Sequence, residues 1–356
     1  MVVRLRVDGI LYYLSEIEDK LKHGVTSRIK ILGDMDIADK RLPQDGRASF
    51  HSEEGSVDLR IASIPTVYGE NITIRLLEEQ AAKLTLDDAG MAEDQLQIFR
   101  KALKRPWGEI LVTGPTGSGK STTLYMGLEE LNTNQVKIYT VEDPVERRIA
   151  GVLQSQIRSN IGLTFASMLR SLVRSDPDII MVGEIRDFET AMVATEASLT
   201  GHLVLSTLHT NDAPTAVTRL AEMGIPAYLV ASALELIVAQ RLARRLCPKC
   251  SETVKVTDPS ITEEERDFLG IVDERATIGR AVGCGRCYGT GYSGRIGLYE
   301  ILPVTREIRE LILNHGTSEA IRDRAVAMGV RSIREDGRQK VLKGITTVGE
   351  VLRVTM

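Results

Sequence analysis

Apolar positions change their period as the chain proceeds. In "SVDLRIAS" (56–63) Val57, Leu59 and Ile61 share a face opposite Asp58 and Arg60, and in "NITIRLL" (71–77) Ile72, Ile74 and Leu76 oppose Arg75. Period-two alternation predicts half-buried strands. "VVRLRVDG" predicts a strand over 2–7, residues 15–33 read as a helix, and "RLPQDGR" reads as a loop. The first strand is already under way at Val2, so either the natural chain starts there or residues precede it. The stretch from Glu78 to Gly90 is polar and aperiodic. These patterns predict a small α+β unit over 1–78 and a linker over 79–92.

From residue 93 the pattern becomes helices alternating with short, continuously apolar runs. A helix over 93–104 leads to a strand at 109–113 and a helix at 119–131; further strands are predicted at 136–141, 178–183 and 203–207. Such runs imply a parallel sheet covered on both faces. Ligands in these α/β sheets bind at the carboxyl ends of the strands. The longest apolar stretch, "IPAYLVASALELIVA" (225–239), contains Pro226 and Glu235, is too short for a membrane span and reads as a buried helix. Past Gln240 come a Cys- and Gly-bearing segment and then short helices. The predicted divisions are 93–240, 241–300 and 301–356.

Chemistry concentrates where the strands end. After 109–113 follows Gly114-Pro115-Thr116-Gly117-Ser118-Gly119-Lys120-Ser121-Thr122, with the G-x-x-x-x-G-K-[ST] spacing of a phosphate-binding loop. Glycines let successive N–H groups face phosphate oxygens. Lys120 reaches the β/γ-phosphates, Ser121 ligates Mg²⁺, and the helix offers its positive N-terminus. The competing reading, a glycine turn matching by chance, does not explain the strand before it and the helix after it.

"DPDIIMVGEIRD" (176–187) ends a strand in Gly183-Glu184. Glu184 is a candidate base for in-line attack of water on a γ-phosphate, while Gly183 stands where an Asp for Mg²⁺ is common. "YTVEDPVE" (139–146) offers Glu142 and Asp143 as replacements, although acids at strand ends are also ordinary turn formers. His202 and His209 bracket the 203–207 strand as γ-phosphate sensors or structural histidines. Arg170 and Arg174 share a helix face, either toward a phosphate or interface or toward solvent.

All four cysteines lie in Cys247-Pro-Lys-Cys250 and Cys284-Gly-Arg-Cys287. Paired C-x-x-C knuckles fit a closed S₄ site for structural Zn²⁺, against a redox pair as the other reading. Among 356 residues the net charge is −4, with one Trp and five Phe, and the pI is about 5.9. That balance argues against a nucleic-acid protein working by bulk charge or base stacking. With no signal peptide, a cytoplasmic protein is expected.

The phosphate loop, "VEDPVE", "DPDIIMVGEIRD", "TGHLVLSTLHTNDA" and the cysteine knuckles, with "RLPQDGR", "IPTVYGE" and "GRIGLYE", resemble the secretion-ATPase superfamily over essentially the whole chain. The likeness is closer to type II secretion and type IV pilus assembly ATPases than to pilus retraction ATPases, which usually lack the knuckles. It implies an α/β fold: a RecA-like P-loop domain, a small N-terminal α+β (PAS-like) domain and a C-terminal zinc-binding and helical region. It implies a homo-hexamer using ATP, Mg²⁺ and Zn²⁺ to move an inner-membrane platform protein, with the membrane reached only through partners and no nucleic acid bound. It further implies that Arg60 and Arg75 reach the nucleotide and that Glu184 is the catalytic carboxylate. Glu142 matches an acidic box, His202 and His209 a histidine box, and Arg170, Arg174 and Arg186 basic positions at the site or its interface. The competing functional reading is a nucleic-acid translocase or unwinding motor.

Overall fold

The computed structural model describes residues 1–52, 55–77, 84–270 and 273–355. The chain forms two compact units, Met1–Leu84 and Thr85–Met356. Of the stretch read as a linker, residues 78–83 lie outside the described residues; Thr85 then caps a short 3₁₀ turn over Leu86–Ala89.

In the first unit β1 (Val2–Val7) and β2 (Ile10–Glu16) form an antiparallel pair, followed by α1 (Lys22–Leu32). Residues 15–33 are thus not all helix: "ILYYLSE" continues as a strand because its backbone pairs with β1. A second, antiparallel sheet contains β3 (Gln44–Ser52), β4 (Gly55–Thr66) and β5 (Gly69–Leu77). β3 begins inside "RLPQDGR", at Gln44. Buried Lys30 on α1 ties helix to sheet, its Nζ donating to Glu70 Oε1 and Asp39 O, both at 2.7 Å.

The second unit opens with α2 (Glu93–Leu103), β6 (Gly108–Thr113), α3 (Lys120–Leu131), β7 (Ile138–Glu142) and β8 (Leu153–Gln156). α4 (Phe165–Leu172), β9 (Ile179–Val182), α5 (Phe188–Leu199), β10 (Leu203–Leu208), α6 (Ala213–Glu222) and α7 (Ala227–Ala233) follow. Next come β11 (Leu234–Leu246), β12 (Glu252–Lys255), α8 (Glu263–Leu269), β13 (Thr277–Arg280) and β14 (Tyr292–Pro303). Four helices close the chain: α9 (Arg306–Leu313), α10 (Ser318–Ala327), α11 (Ile333–Leu342) and α12 (Val348–Thr355).

Seven strands form one sheet in the order β14-β11-β6-β10-β9-β7-β8, all parallel except β14, which runs antiparallel to β11. β6 shows why its sequence is apolar throughout. Ile110 and Val112 join the core containing Phe99 and Leu124, while Leu111 joins the other core, with Val204 and Ile237. The run 225–239 is not one helix: α7 ends at Ala233 and Leu234 starts β11, which pairs with β6 and continues past Gln240 to Leu246. α11 is fastened to β14 by buried groups, Asp336 Oδ2 accepting from Tyr299 N (2.9 Å) and Lys340 Nζ donating to Gly297 O (2.7 Å). Among the described residues, no helix is long and apolar enough to cross a membrane.

Candidate active site

The phosphate loop joins β6 to α3 at the carboxyl end of the sheet. Gly114, Gly117 and Gly119 all have positive φ (149°, 80° and 89°). At Gly114 a Cβ would also lie 2.5 Å from Gln240 O and from Ser118 Oγ, so only glycine fits there. The cradle is short of partners for its own polar groups. Ser118 Oγ and Thr113 Oγ1 are buried without a hydrogen-bond partner among the described residues. Lys120 is buried, and its Nζ donates to Gly114 O (2.8 Å) and Pro115 O (3.1 Å), both uncharged. Burial pushes the Lys120 ammonium below its ordinary pKa; the charge of Glu184 opposes that shift and the charge of Arg241 adds to it. A desolvated cation, two orphaned hydroxyls and a glycine loop of positive φ leading into the N-terminus of α3 fit a polyphosphate. Pro115, Thr116, Ser121 and Thr122 are exposed on the loop and the first turn of α3.

Glu184 follows β9, its side chain mostly shielded. One carboxylate oxygen pairs with Arg186 and the other lies 3.4 Å from His209 Nε2. The contact with Glu184 raises the Arg186 pKa, and Asp143 acts in the same direction. Gly183, in the place of an Asp, packs against the next strand. A Cβ there would come within 3.2 Å of Val141 O and 3.3 Å of Glu142 Cα. Thr207 Oγ1 holds the Gly183 carbonyl at 2.7 Å.

Glu142 is not a free carboxylate. It is buried at the end of β7, where Tyr125 Oη donates to Oε2, and Thr140 Oγ1 (2.6 Å) and Gln154 Nε2 (3.1 Å) donate to Oε1. Burial, and then the bond to Glu142, pushes the Tyr125 phenol up. The pair binds β7 to α3, the helix that carries Lys120. Neighbouring Asp143 is exposed.

The two histidines are separated. Leu208, beside His209, pairs with Thr113 at the phosphate-loop end of β6, whereas Leu203, beside His202, pairs with Gly108 at the other end. At about 3.3 Å per residue this puts His202 some 20 Å from the loop end of the sheet. There its Nδ1 lies 2.9 Å from Ala197 O at the end of α5. Arg170 pairs with Glu189 (3.2 Å), and Arg174 Nη1 donates to Arg170 O (2.6 Å). Neither contacts Lys120 or Glu184. Arg60 and Arg75 belong to the first unit, as direct cross-strand partners on β4 and β5.

Two site residues on β11 carry no recognisable motif. Gln240 Oε1 accepts from Thr123 Oγ1 (2.8 Å), bracing α3 against β11. Arg241 donates from Nη2 to Asn211 O (3.0 Å) and Asn211 Oδ1 (3.2 Å). Burial holds its guanidinium below the ordinary value.

Away from this site, the sulfurs of Cys247, Cys250, Cys284 and Cys287 all lie within 4.8 Å of one another. Three Sγ···Sγ separations are 3.9, 3.7 and 3.7 Å, close to the ~3.8 Å edge of a tetrahedron with Zn–S bonds of ~2.3 Å. Backbone N–H groups of Cys284 and Gly291 (both 3.2 Å) donate to Cys287 Sγ, and that of Gly283 (3.3 Å) to Cys250 Sγ. Such donors stabilise thiolates. The four sulfurs fit Zn²⁺, which would cross-link the chain there with no coordination position left open.

Comparison with known proteins places this geometry in a family. Residues 1–353 match the model of the type II/IV secretion system protein family. The whole chain is 48% identical to type II secretion system protein E of Pseudomonas aeruginosa, covering 70% of that protein. It is 45% identical, over 98% of its length, to the type IV pilus assembly ATPase PilB of Myxococcus xanthus, covering 62% of it. Among solved structures, the ATPase DotB of Legionella pneumophila superposes with a TM-score of 0.68 at 22% identity, over 97% of this chain and 86% of DotB. The pilus retraction motor PilT with bound ADP gives 0.63 at 23%, over 99% and 89%. These two likenesses concern the fold, which is RecA-like. Matched by that family model over residues 1–353 and 45–48% identical to secretion and pilus-assembly proteins over nearly all of its own length, the chain belongs to the type II/IV secretion system protein family and is one of its ATPases.

Proposed function

We propose that this protein works as a ring of six copies that hydrolyses ATP to drive assembly of a type IV pilus or a type II secretion pseudopilus. It acts from the cytoplasmic side on an inner-membrane platform protein and takes no nucleic acid as substrate. The observation that carries this reading is the placement of Glu184, held between Arg186 and His209 within electrostatic reach of Lys120.

In this reading the loop amides and Lys120 bind the β- and γ-phosphates. Glu184 orients a water for in-line attack on the γ-phosphorus and accepts its proton, releasing ADP and phosphate. Ser121 and the exposed Asp143 would hold Mg²⁺, which neutralises phosphate charge when bound. Glu142 acts at one remove, by fixing β7 against α3. Arg60 and Arg75 bring the 1–78 domain to the nucleotide across the 79–92 linker. Arg170 and Arg174 line the site or its interface with a neighbouring copy. Zinc at the four cysteines is structural and steadies the 241–300 segment between the 93–240 core and the 301–356 helices.

The test is allele replacement in the source organism. Glu184→Gln, expressed at the wild-type level, abolishes surface fibres or secretion of the exported enzymes. Wild-type assembly by that allele contradicts the proposal.

A further inference from the structure

Arg241 is a cation without a counter-ion at the edge of the phosphate cradle. β11 runs beside β6, and Ala239 pairs with Thr113, the last residue of β6. Gln240, the next residue, closes on the loop at two points. A Cβ on Gly114 would lie 2.5 Å from its carbonyl oxygen, and one on Gly119 would lie 2.8 Å from its Nε2. Arg241 Nη1 donates to that same carbonyl at 3.1 Å. The guanidinium is thereby fixed one residue from the loop, within electrostatic reach of Lys120.

Its other partners are neutral. Nη2 donates to Asn211 O and Oδ1, and among the described residues Arg241 forms no ion pair. The two acids whose charge acts on it, Asp212 and Glu300, are engaged by other groups. Asp212 pairs through Oδ2 with Arg322 (2.7 Å) and accepts at Oδ1 from Thr215 N (2.8 Å), while Glu300 Oε1 accepts from Ala213 N (3.2 Å). Half-buried, Arg241 has lost part of its hydration with no anion in its place. Tethering Asn211 needs only a neutral donor. Two desolvated like charges facing one loop weaken the fold, so the charge of Arg241 needs a reason outside folding.

We propose that Arg241 is a second phosphate-binding cation of the site, engaging from the same chain the phosphates of the nucleotide held at Lys120. A guanidinium meets phosphate through parallel N–H bonds, where an ammonium supplies a point charge. A charged phosphate oxygen binds it more strongly than the neutral oxygens of Asn211 do. This rests on the reading that Lys120 binds the phosphates.

Equilibrium binding of a fluorescent ATP analogue, and its competition by inorganic tripolyphosphate, test it on Arg241→Gln and Arg241→Lys, with melting curves taken without nucleotide. Arg241→Gln keeps a donor for Asn211 and removes the charge. It lowers affinity for analogue and tripolyphosphate alike by about 10- to 100-fold, the scale of a lost hydrogen bond to a charged group, and Arg241→Lys recovers part of the loss. The nucleotide-free melting temperature of Arg241→Gln holds or rises, because one of two like charges has gone. A melting temperature that falls together with both affinities makes Arg241 a folding residue and overturns the proposal. So does analogue affinity within twofold of wild type. Weaker analogue binding with tripolyphosphate unchanged assigns Arg241 to the nucleoside and also overturns it. Wild-type affinity in Lys120→Ala defeats the underlying reading; wild-type affinity in Arg241→Gln, with Lys120→Ala impaired, defeats only this inference.

Discussion

Glu109 places a carboxyl group inside an interior strand of the main sheet. It is fully buried on β6, where Ser206 Oγ (3.1 Å) and Thr195 Oγ1 (3.4 Å) donate to it, and burial raises its pKa from 4.5 to about 7. Glu300 on β14 is likewise raised by burial to about 7. A carboxyl whose folded pKa exceeds its unfolded value binds its proton more tightly when folded. The stability this adds is full below pH 4.5 and is lost as pH rises through about 7. Glu109→Gln, which stays neutral at every pH, should therefore melt above wild type at pH 8, by an amount on the order of 2–3 kcal/mol. The gap should close toward pH 5. A gap that does not depend on pH would contradict this.

At the same scale, spacing singled out Lys120 and the cysteines as candidates, because phosphate binding and metal ligation fix residue types at fixed intervals, whereas Glu184 stood out by its place after an apolar strand. Sequence did not separate Glu142 from Asp143. Which of two adjacent carboxylates turns inward depends on Tyr125 and Gln154, which the fold alone brings together. Nor did it separate His202 from His209, since the two ends of a strand look alike until the register is known.

Among elements, the strands around the phosphate loop followed from their apolar runs, and β11 did not. A short apolar run fits a buried helix or a buried strand equally; here it contains both, because Leu234 onward fills the place beside β6. β14 also stayed hidden, its "YSGRIGLYEILP" lying behind the cysteine segment. The four-cysteine cluster sits where these two strands meet, with Cys247 N donating to Gly291 O at 2.9 Å. Structural zinc contributes an apparent ~10–16 kcal/mol in small peptides. Removing it with a strong chelator should speed amide hydrogen exchange across 247–291 while β6, β9 and β10 stay protected. Elemental analysis should return one zinc per chain before chelation. Absence of zinc, or unchanged exchange after chelation, would contradict a structural metal.

For the whole molecule, two compact units, Met1–Leu84 and Thr85–Met356, raise the question of what ATP moves. If Arg60 and Arg75 meet the terminal phosphate, a non-hydrolysable analogue should shorten the distance between the units in small-angle scattering. Arg60→Ala and Arg75→Ala should abolish that change and slow turnover by about 10³-fold or more, the range for arginines that stabilise phosphoryl transfer. Unchanged scattering with normal turnover would leave both as surface residues.

The central claim is that Lys120 binds the nucleotide and Glu184 activates the water. ATP affinity and steady-state hydrolysis, measured side by side on Glu184→Gln and Lys120→Ala, test it most directly. The account predicts that Glu184→Gln binds ATP like wild type and turns over at less than about one hundredth of its rate, whereas Lys120→Ala loses binding itself. Near-normal hydrolysis by Glu184→Gln would contradict it.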